Sequence, residues 1–314
     1  MNIKFKHIRI LLLLVVMLFA YQKSIAQTEP MYSQYMFNML GVNPAYAGSR
    51  EASSFNIFQR RQWIGLQGAP QTTSISFDQS ILNKAAGWGI QLYDDKIGVE
   101  KADGINLMGA TRIRVSEKGV LSGGLSLGLM NYRIDLMNVT GRYTPSDPAF
   151  YANLNKWTPS LGLGIYYNTD NFYAGVSIPN ILKSKLTALT LIKSGLQKVN
   201  QKHIFLTTGV VIPINEELKL KPSTMIKIVE GAPIEADFNT NIWLRDIIGL
   251  GVSYRTGDAI IGMAEIQANE NLRFGYAYDI TISPLKFYNT GTHEIMIRYE
   301  LGNFKTKIKS TRYF

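Results

Sequence analysis

A serine framed by two glycines, Gly124-Leu125-Ser126-Leu127-Gly128, has the spacing of a hydrolase nucleophile elbow, in which glycines permit a strained strand-to-helix turn. The chemistry would be acyl transfer. The surrounding sequence denies it that context, because Leu125, Leu127 and Leu129 alternate with Ser126, Gly128 and Met130 and no helical pattern follows. Gly124 and Gly128 also have the spacing of a helix-dimer motif, which has no meaning off a helix. His7, His203 and His293 lie far apart in sequence and have no paired ligands for a metal. Carboxylates such as Glu235, Asp237, Glu294 and Glu300 are present, but no spacing isolates an acid–base pair. The chain has no cysteine, which excludes disulfides, thiolate zinc sites and cysteine nucleophiles. These residues predict no catalytic, cofactor or metal site, and a protein that is not an enzyme.

The elements that would position such residues are strands. From about residue 51 the apolar period is two, the period of a strand and not of a helix. Fourteen segments follow it, at about 51–62, 71–81, 86–94, 104–116, 119–133, 158–168, 171–179, 202–213, 217–229, 232–243, 246–256, 258–267, 270–281 and 292–303. Each is close to the roughly 9–11 residues of a tilted membrane-spanning strand. The twelfth is the weakest, because Ile260, Ile261, Met263 and Ile266 do not alternate cleanly.

Ahead of the strands, Lys4, Lys6 and Arg9 precede the apolar run Ile10 to Ala20 and the small-residue pattern Ser24-Ile25-Ala26. This is the pattern of a secretory signal peptide cut after Ala26, the run being about half of what a membrane-spanning helix needs. With 314 residues, 46% of them hydrophobic and 18% charged, the chain is not of disordered composition. Its net charge of +10 is spread without a basic block, so nucleic acid is not an expected partner.

Alternation alone fits a soluble sandwich as well as a membrane barrel, and loop lengths decide between them. With the N-terminus in the periplasm, every connection after an even-numbered strand is a short turn. The long connections, 134–157, 180–201 and 281–291, all fall after odd-numbered strands and open on the other face. A sandwich has no reason to sort its loops by parity. The expected architecture is therefore all-β: a single transmembrane antiparallel barrel of about fourteen strands, over 51–303. A signal peptide (1–26) and a short periplasmic segment (27–50) precede it, and a basic periplasmic tail (304–314) follows. Trp63, Tyr93, Tyr132, Tyr167, Trp243, Tyr254 and Tyr299 are placed near strand ends, where aromatic girdles belong. Arg112, Lys221, Lys227, Asp237 and Asn241 fall on the inward face, where a hydrated or protein-filled lumen would satisfy them.

Several motifs that follow the signal-peptide pattern are more specific. Met31-Tyr32-Ser33-Gln34-Tyr35-Met36-Phe37-Asn38, then Asn43-Pro44-Ala45-Tyr46-Ala47-Gly48-Ser49, then Arg60-Arg61-Gln62-Trp63 with Gly68-Ala69-Pro70-Gln71-Thr72, resemble the PorP/SprF family of the type IX secretion and gliding machinery of Bacteroidetes. The resemblance continues through Asp147-Pro148-Ala149-Phe150, Gly175-Val176-Ser177-Ile178-Pro179, Lys221-Pro222-Ser223, Gly275-Tyr276-Ala277-Tyr278-Asp279, His293-Glu294-Ile295 and Arg312-Tyr313-Phe314. It implies a non-enzymatic outer-membrane barrel. The implied partners are the secretion machinery, secreted cargo with type IX C-terminal signals such as motility adhesins, and the outer-membrane lipid.

The signature also has a physical reading. Asn43-Pro44 makes a turn, and Tyr32, Gln34, Tyr35, Phe37 and Tyr46 offer a large amphipathic surface. That surface either covers or plugs the lower mouth of the barrel or docks a partner. Arg61 and Trp63, at the outer end of the first strand, and the terminal Tyr313 and Phe314 complete the candidate partner-binding set. An alternative function, a porin or transporter for small solutes or lipids, would also suit a polar lumen within about fourteen strands.

Overall fold

The computed structural model describes residues 31–50, 52–137, 153–182, 185–186, 198–199, 202–230 and 232–301. Strands β1 (Ser53–Arg61), β2 (Gln71–Ile81), β3 (Ala86–Ile97), β4 (Glu100–Arg114), β5 (Val120–Ile134), β6 (Leu154–Asn168) and β7 (Phe172–Ile178) form one half of the sheet. The other half is β8 (His203–Val210, continued past Val211 by Ile212–Pro213), β9 (Leu218–Val229), β10 (Glu235–Leu244), β11 (Ile248–Arg255), β12 (Ala259–Gln267), β13 (Leu272–Thr281) and β14 (Thr292–Leu301). Each strand pairs antiparallel with its sequence neighbours. The ring closes where β1 pairs β14 from Ser53↔Leu301 to Arg61↔His293, and the β8–β9 ladder joins the two halves. The fourteen expected strands are all present, and a separate two-residue ladder joins Lys185–Leu186 to Lys198–Val199.

Connections after even-numbered strands span 82–85, 115–119, 169–171, 214–217, 245–247 and 268–271. Those after odd-numbered strands include 62–70, 135–153, 179–202 and 282–291, so one end of the barrel carries tight turns and the other carries the long loops. Arg245 and Asp246 both adopt positive φ, the left-handed pair that matches the twist of a tight hairpin, and Lys219 Nζ holds the Asp246 carboxylate at 2.6 Å.

Strand alternation sorts the two faces. Leu125, Leu127 and Leu129 are exposed on the outside and Ser126 is buried on the inside. Outward apolar residues repeat around the wall, as in the row Ile57, Ile75, Leu92, Ile105 and Leu129, each paired in register with the next. The buried hydrophobic cluster lies inside the ring, where Tyr35, Met36, Phe37, Met39, Leu40 and Ala45 pack against wall residues such as Phe58, Met225, Ile261 and Met296. This explains the weak twelfth segment: β12 turns Ile261 and Met263 inward onto that cluster while Ile260 and Ile266 face out, so both faces are apolar.

Three of the expected girdle residues are corrected by the same geometry. Trp243 and Tyr132 are buried in the lumen, and Tyr93 lines an internal cavity; of the rest, Tyr254 and Tyr299 are exposed on the outer face. Strand-end position does not by itself choose a face.

Candidate functional site

Residues 31–50 occupy the lumen. Apart from Met31 and Gly41 every residue of the segment is buried, although it contains only one short α-helix, Met39–Val42, between the single 3-10 turns Tyr35–Phe37 and Pro44–Tyr46. Elements this short do not satisfy their own backbone groups, so the barrel wall does.

At the long-loop end, the Glu294 carboxylate accepts from Ser33 N and from Gln34 N, both at 2.8 Å. Arg60 donates to Glu294 at 3.0 Å, to Asp279 at 2.7 Å and to the Ser33 hydroxyl at 2.6 Å. Ser33 in turn donates to Asp279, and Arg255 pairs with Asp237 at 2.9 Å and with Asp279 at 3.5 Å. Arg60, Arg255, Asp237, Asp279 and Glu294 are all fully buried. Such a set is tolerable only because each charge has both a counter-ion and hydrogen bonds.

Midway, Tyr35 donates to Ser223 Oγ at 3.2 Å, and Arg298 donates to the Phe37 carbonyl. Ser177 Oγ donates to the Val42 carbonyl at 2.6 Å, while Asn43 Nδ2 donates to the Ile165 carbonyl at 2.9 Å. The other face of the Asn43 amide caps the following turn by accepting from Ala45 N, as an N-cap asparagine should, with Pro44 at the first position of the turn. At the short-turn end, Arg112 donates to the Ala47 carbonyl, Gly48 N donates to Asp78 at 2.8 Å, and Arg50 pairs with Glu300. The segment thus runs the length of the lumen, from Arg60 beside the long loops to Glu300 at the turns.

Glycines make room for it. A Cβ at Gly87 would overlap the Ala47 carbonyl, one at Gly124 the backbone of Ala45, and one at Gly164 the Asn43 side chain. The elbow-like glycine Gly124 therefore has a packing role, and Ser126 lies on a strand wall without the turn that nucleophile geometry requires. Among the described residues no group of three or more His, Asp or Glu side chains is placed to hold a metal.

Of the sequence candidates, the structure brings Tyr32, Gln34, Tyr35, Phe37, Asn43, Pro44 and Tyr46 together inside the barrel. Tyr32 packs edge-on against Phe58 and Tyr46 against Tyr166. Arg61 and Trp63 are set apart from them and line a rim pocket at the long-loop end; Tyr313 and Phe314 lie outside the described residues. The segment expected at the lower mouth extends up the whole lumen, because its aromatic and aliphatic side chains find burial there and its backbone finds donors and acceptors. Sequence reasoning missed the charged anchors Arg60, Asp279 and Glu294. Their signal was the Arg60-Arg61 pair at the end of an alternating strand, which must send one arginine inward.

Comparison with known proteins agrees with this architecture. The monoaromatic hydrocarbon channel CymD superposes with a TM-score of 0.51 at 12% identity, over 88% of this chain and 94% of that one. The Acinetobacter baumannii outer membrane protein Omp33 gives 0.48 at 8% identity, over 80% of this chain and 99% of that one. KdgM porin gives 0.40 at 9% identity, over 79% and 99%. At 12% identity the likeness to CymD concerns the fold alone. No curated protein matches the sequence. The profile of the type IX secretion system membrane protein family PorP/SprF, however, matches residues 24–299, which takes in the lumen segment and nearly the whole barrel: this chain belongs to the PorP/SprF family and is an outer-membrane β-barrel of that secretion system.

Proposed function

We propose that this protein is a sealed, non-enzymatic barrel that binds secreted cargo, such as adhesins with type IX C-terminal signals, at the cell surface and contacts the secretion machinery on the periplasmic side. The chain is exported by a signal peptide cleaved after Ala26. The long loops face outward and the tight turns face the periplasm. The observation that carries this reading is the occupied lumen. A solute channel needs an open polar path, whereas here residues 31–50 fill the ring and are bonded across it to Glu294 of β14 and to the Ile165 carbonyl of β6. Docking falls to the rims and to the basic tail 304–314, since Tyr35 and Tyr46 are held inside unless the segment leaves the barrel.

Affinity purification from membranes, followed by mass spectrometry, should recover secretion components and cargo, and the purified barrel should not conduct in planar bilayers. Steady porin-like conductance without protein partners would replace this reading with that of a solute channel. Orientation is checked separately. In this cysteine-free chain, Gln67→Cys should react with an impermeant thiol reagent on whole cells and Glu270→Cys should not.

A further inference from the structure

Arg60 and Arg61 are adjacent in sequence and opposite in fate. Arg60 is inside the lumen, paired with Asp279 and Glu294, and Arg61 projects from the outer wall. Its outward neighbours in register are Gln71 on β2, Lys96 on β3, Lys101 on β4 and Arg133 on β5, with His293 of β14 on its other side. Five strands in succession, β1 to β5, therefore supply four cations and one glutamine in a row that climbs obliquely along the tilted wall, so that near neighbours such as Arg61, Gln71 and Lys96 lie closest in height.

The position of Arg61, Gln71 and Lys96 has a meaning in a membrane. The apolar outer row of Ile57, Ile75, Leu92, Ile105 and Leu129 lies four residues below, which on a tilted strand is roughly 10 Å. Arg61, Gln71 and Lys96 thus stand just beyond the edge of the hydrocarbon, among lipid headgroups. The carboxylates of the intervening row are already committed: Asp94 and Asp103 bind Lys101 at 2.5 Å and 3.2 Å, and Asp103 also binds Arg133. Arg61 and Lys96 have no ion-pair partner among the described residues, and both line a pocket of about 580 Å³. Its other walls are Trp63, Leu66, Gly68 and Gly98, fixed by hydrogen bonds from Gly98 N to the Gly68 carbonyl at 2.8 Å and from Ile64 N to the Gly291 carbonyl at 2.8 Å. A guanidinium fork, an ammonium and an amide side chain around a braced concavity suit a phosphate group.

We propose that Arg61, Gln71 and Lys96, with Trp63 as the apolar wall, form a headgroup site for a phosphorylated lipid of the outer leaflet. The outer leaflet is specified by the orientation proposed above, and the chemistry of the site is independent of it. A lipid held there would brace the loop 62–70 and its tie to the loop 282–291, giving the cell-surface rim a fixed shape for protein docking.

The test uses purified full-length protein in detergent, titrated with bisphosphorylated lipid A and read by native mass spectrometry. Wild type should retain lipid A, and Arg61→Gln with Lys96→Gln should weaken retention about tenfold or more, as loss of two charge-assisted contacts requires. The charge-preserving pair Arg61→Lys with Lys96→Arg should retain most of it. Dephosphorylated lipid A should bind wild type about as weakly as lipid A binds the glutamine variant. Equal retention by the glutamine variant would overturn the proposal, and so would equal binding of dephosphorylated lipid. Inorganic phosphate displacing lipid A at equal concentration would also overturn it, by identifying a simple ion site. A matching loss in Lys118→Gln, at the opposite end of the barrel, would reduce the effect to nonspecific charge. Because binding is measured on isolated protein, its failure is separable from a failure of the thiol-labelling test of orientation.

Discussion

On the wall built from β3 to β7, residues 40–48 approach strands whose lumen positions are often glycine: Gly87, Gly89, Gly124, Gly164 and Gly175. On the wall built from β9 to β14 together with β1, residues 31–38 meet long polar and charged side chains, among them Arg60, Arg255, Asp279, Glu294 and Arg298. The first wall holds the segment by shape, letting backbone lie against backbone. The second holds it by charge, its long side chains reaching inward to the carbonyls and amides of Tyr32, Ser33, Gln34 and Phe37. Shape cannot be adjusted once built, whereas ion pairs can exchange partners or protons. The two halves of the lumen segment should therefore respond differently to mutation.

The largest effect is expected on the charged wall. Arg60→Ala leaves Asp279 and Glu294 buried without their main counter-ion and should destabilise the folded barrel by about 3–5 kcal/mol, read as a shift in its urea unfolding midpoint. On the glycine wall, Gly124→Val pushes a side chain into the backbone of Ala45, which has no rotamer with which to yield. A cost of roughly 1–3 kcal/mol and a measurable leak current are expected, because residues 43–48 would have to lift from their seat. If Gly124→Val proved silent, shape would not be what holds that half. The mildest change, Tyr35→Phe, removes only the hydrogen bond to Ser223 and should cost about 0.5–1.5 kcal/mol with no leak.

Much of this architecture can be read from the sequence, for physical reasons. Membrane strands must alternate, and their turns must be short at one end, so the fourteen segments and the parity of their connections were legible. β12 was the least so, because Ile261 and Met263 face a protein interior and are as apolar as the outward Ile260 and Ile266. Trp243 was misassigned to a girdle for a related reason. It lies between Lys221 and Arg273, with the two cations 4.7 Å and 4.6 Å from its ring, a lumen contact that strand position does not reveal.

Period two reports which residues share a face, not what fills the ring. The depth of residues 31–50 was therefore illegible, although their aromatic content required burial somewhere. The motifs that carried the family resemblance turn out to include the receptor for this segment. Ser177, Ser223, Asp279 and Glu294 each contact it directly, and a Cβ at Gly275 would overlap Gln34. The motif Asp147-Pro148-Ala149-Phe150 and the end of the chain, Arg312-Tyr313-Phe314, lie outside the described residues.

The central claim is that residues 31–50 seal the lumen, and the chain's lack of cysteine allows one thiol to test it. Met36 is 2% exposed at the middle of the segment, and Met36→Cys replaces it with a smaller side chain that creates no clash. In folded protein, with both ends of the barrel open to a small hydrophilic thiol reagent, this cysteine should stay unlabelled while Gln67→Cys on the rim reacts fully. Heating until the barrel unfolds should then expose it. Labelling of Met36→Cys in the folded state at the rate seen for Gln67→Cys would contradict the sealed lumen.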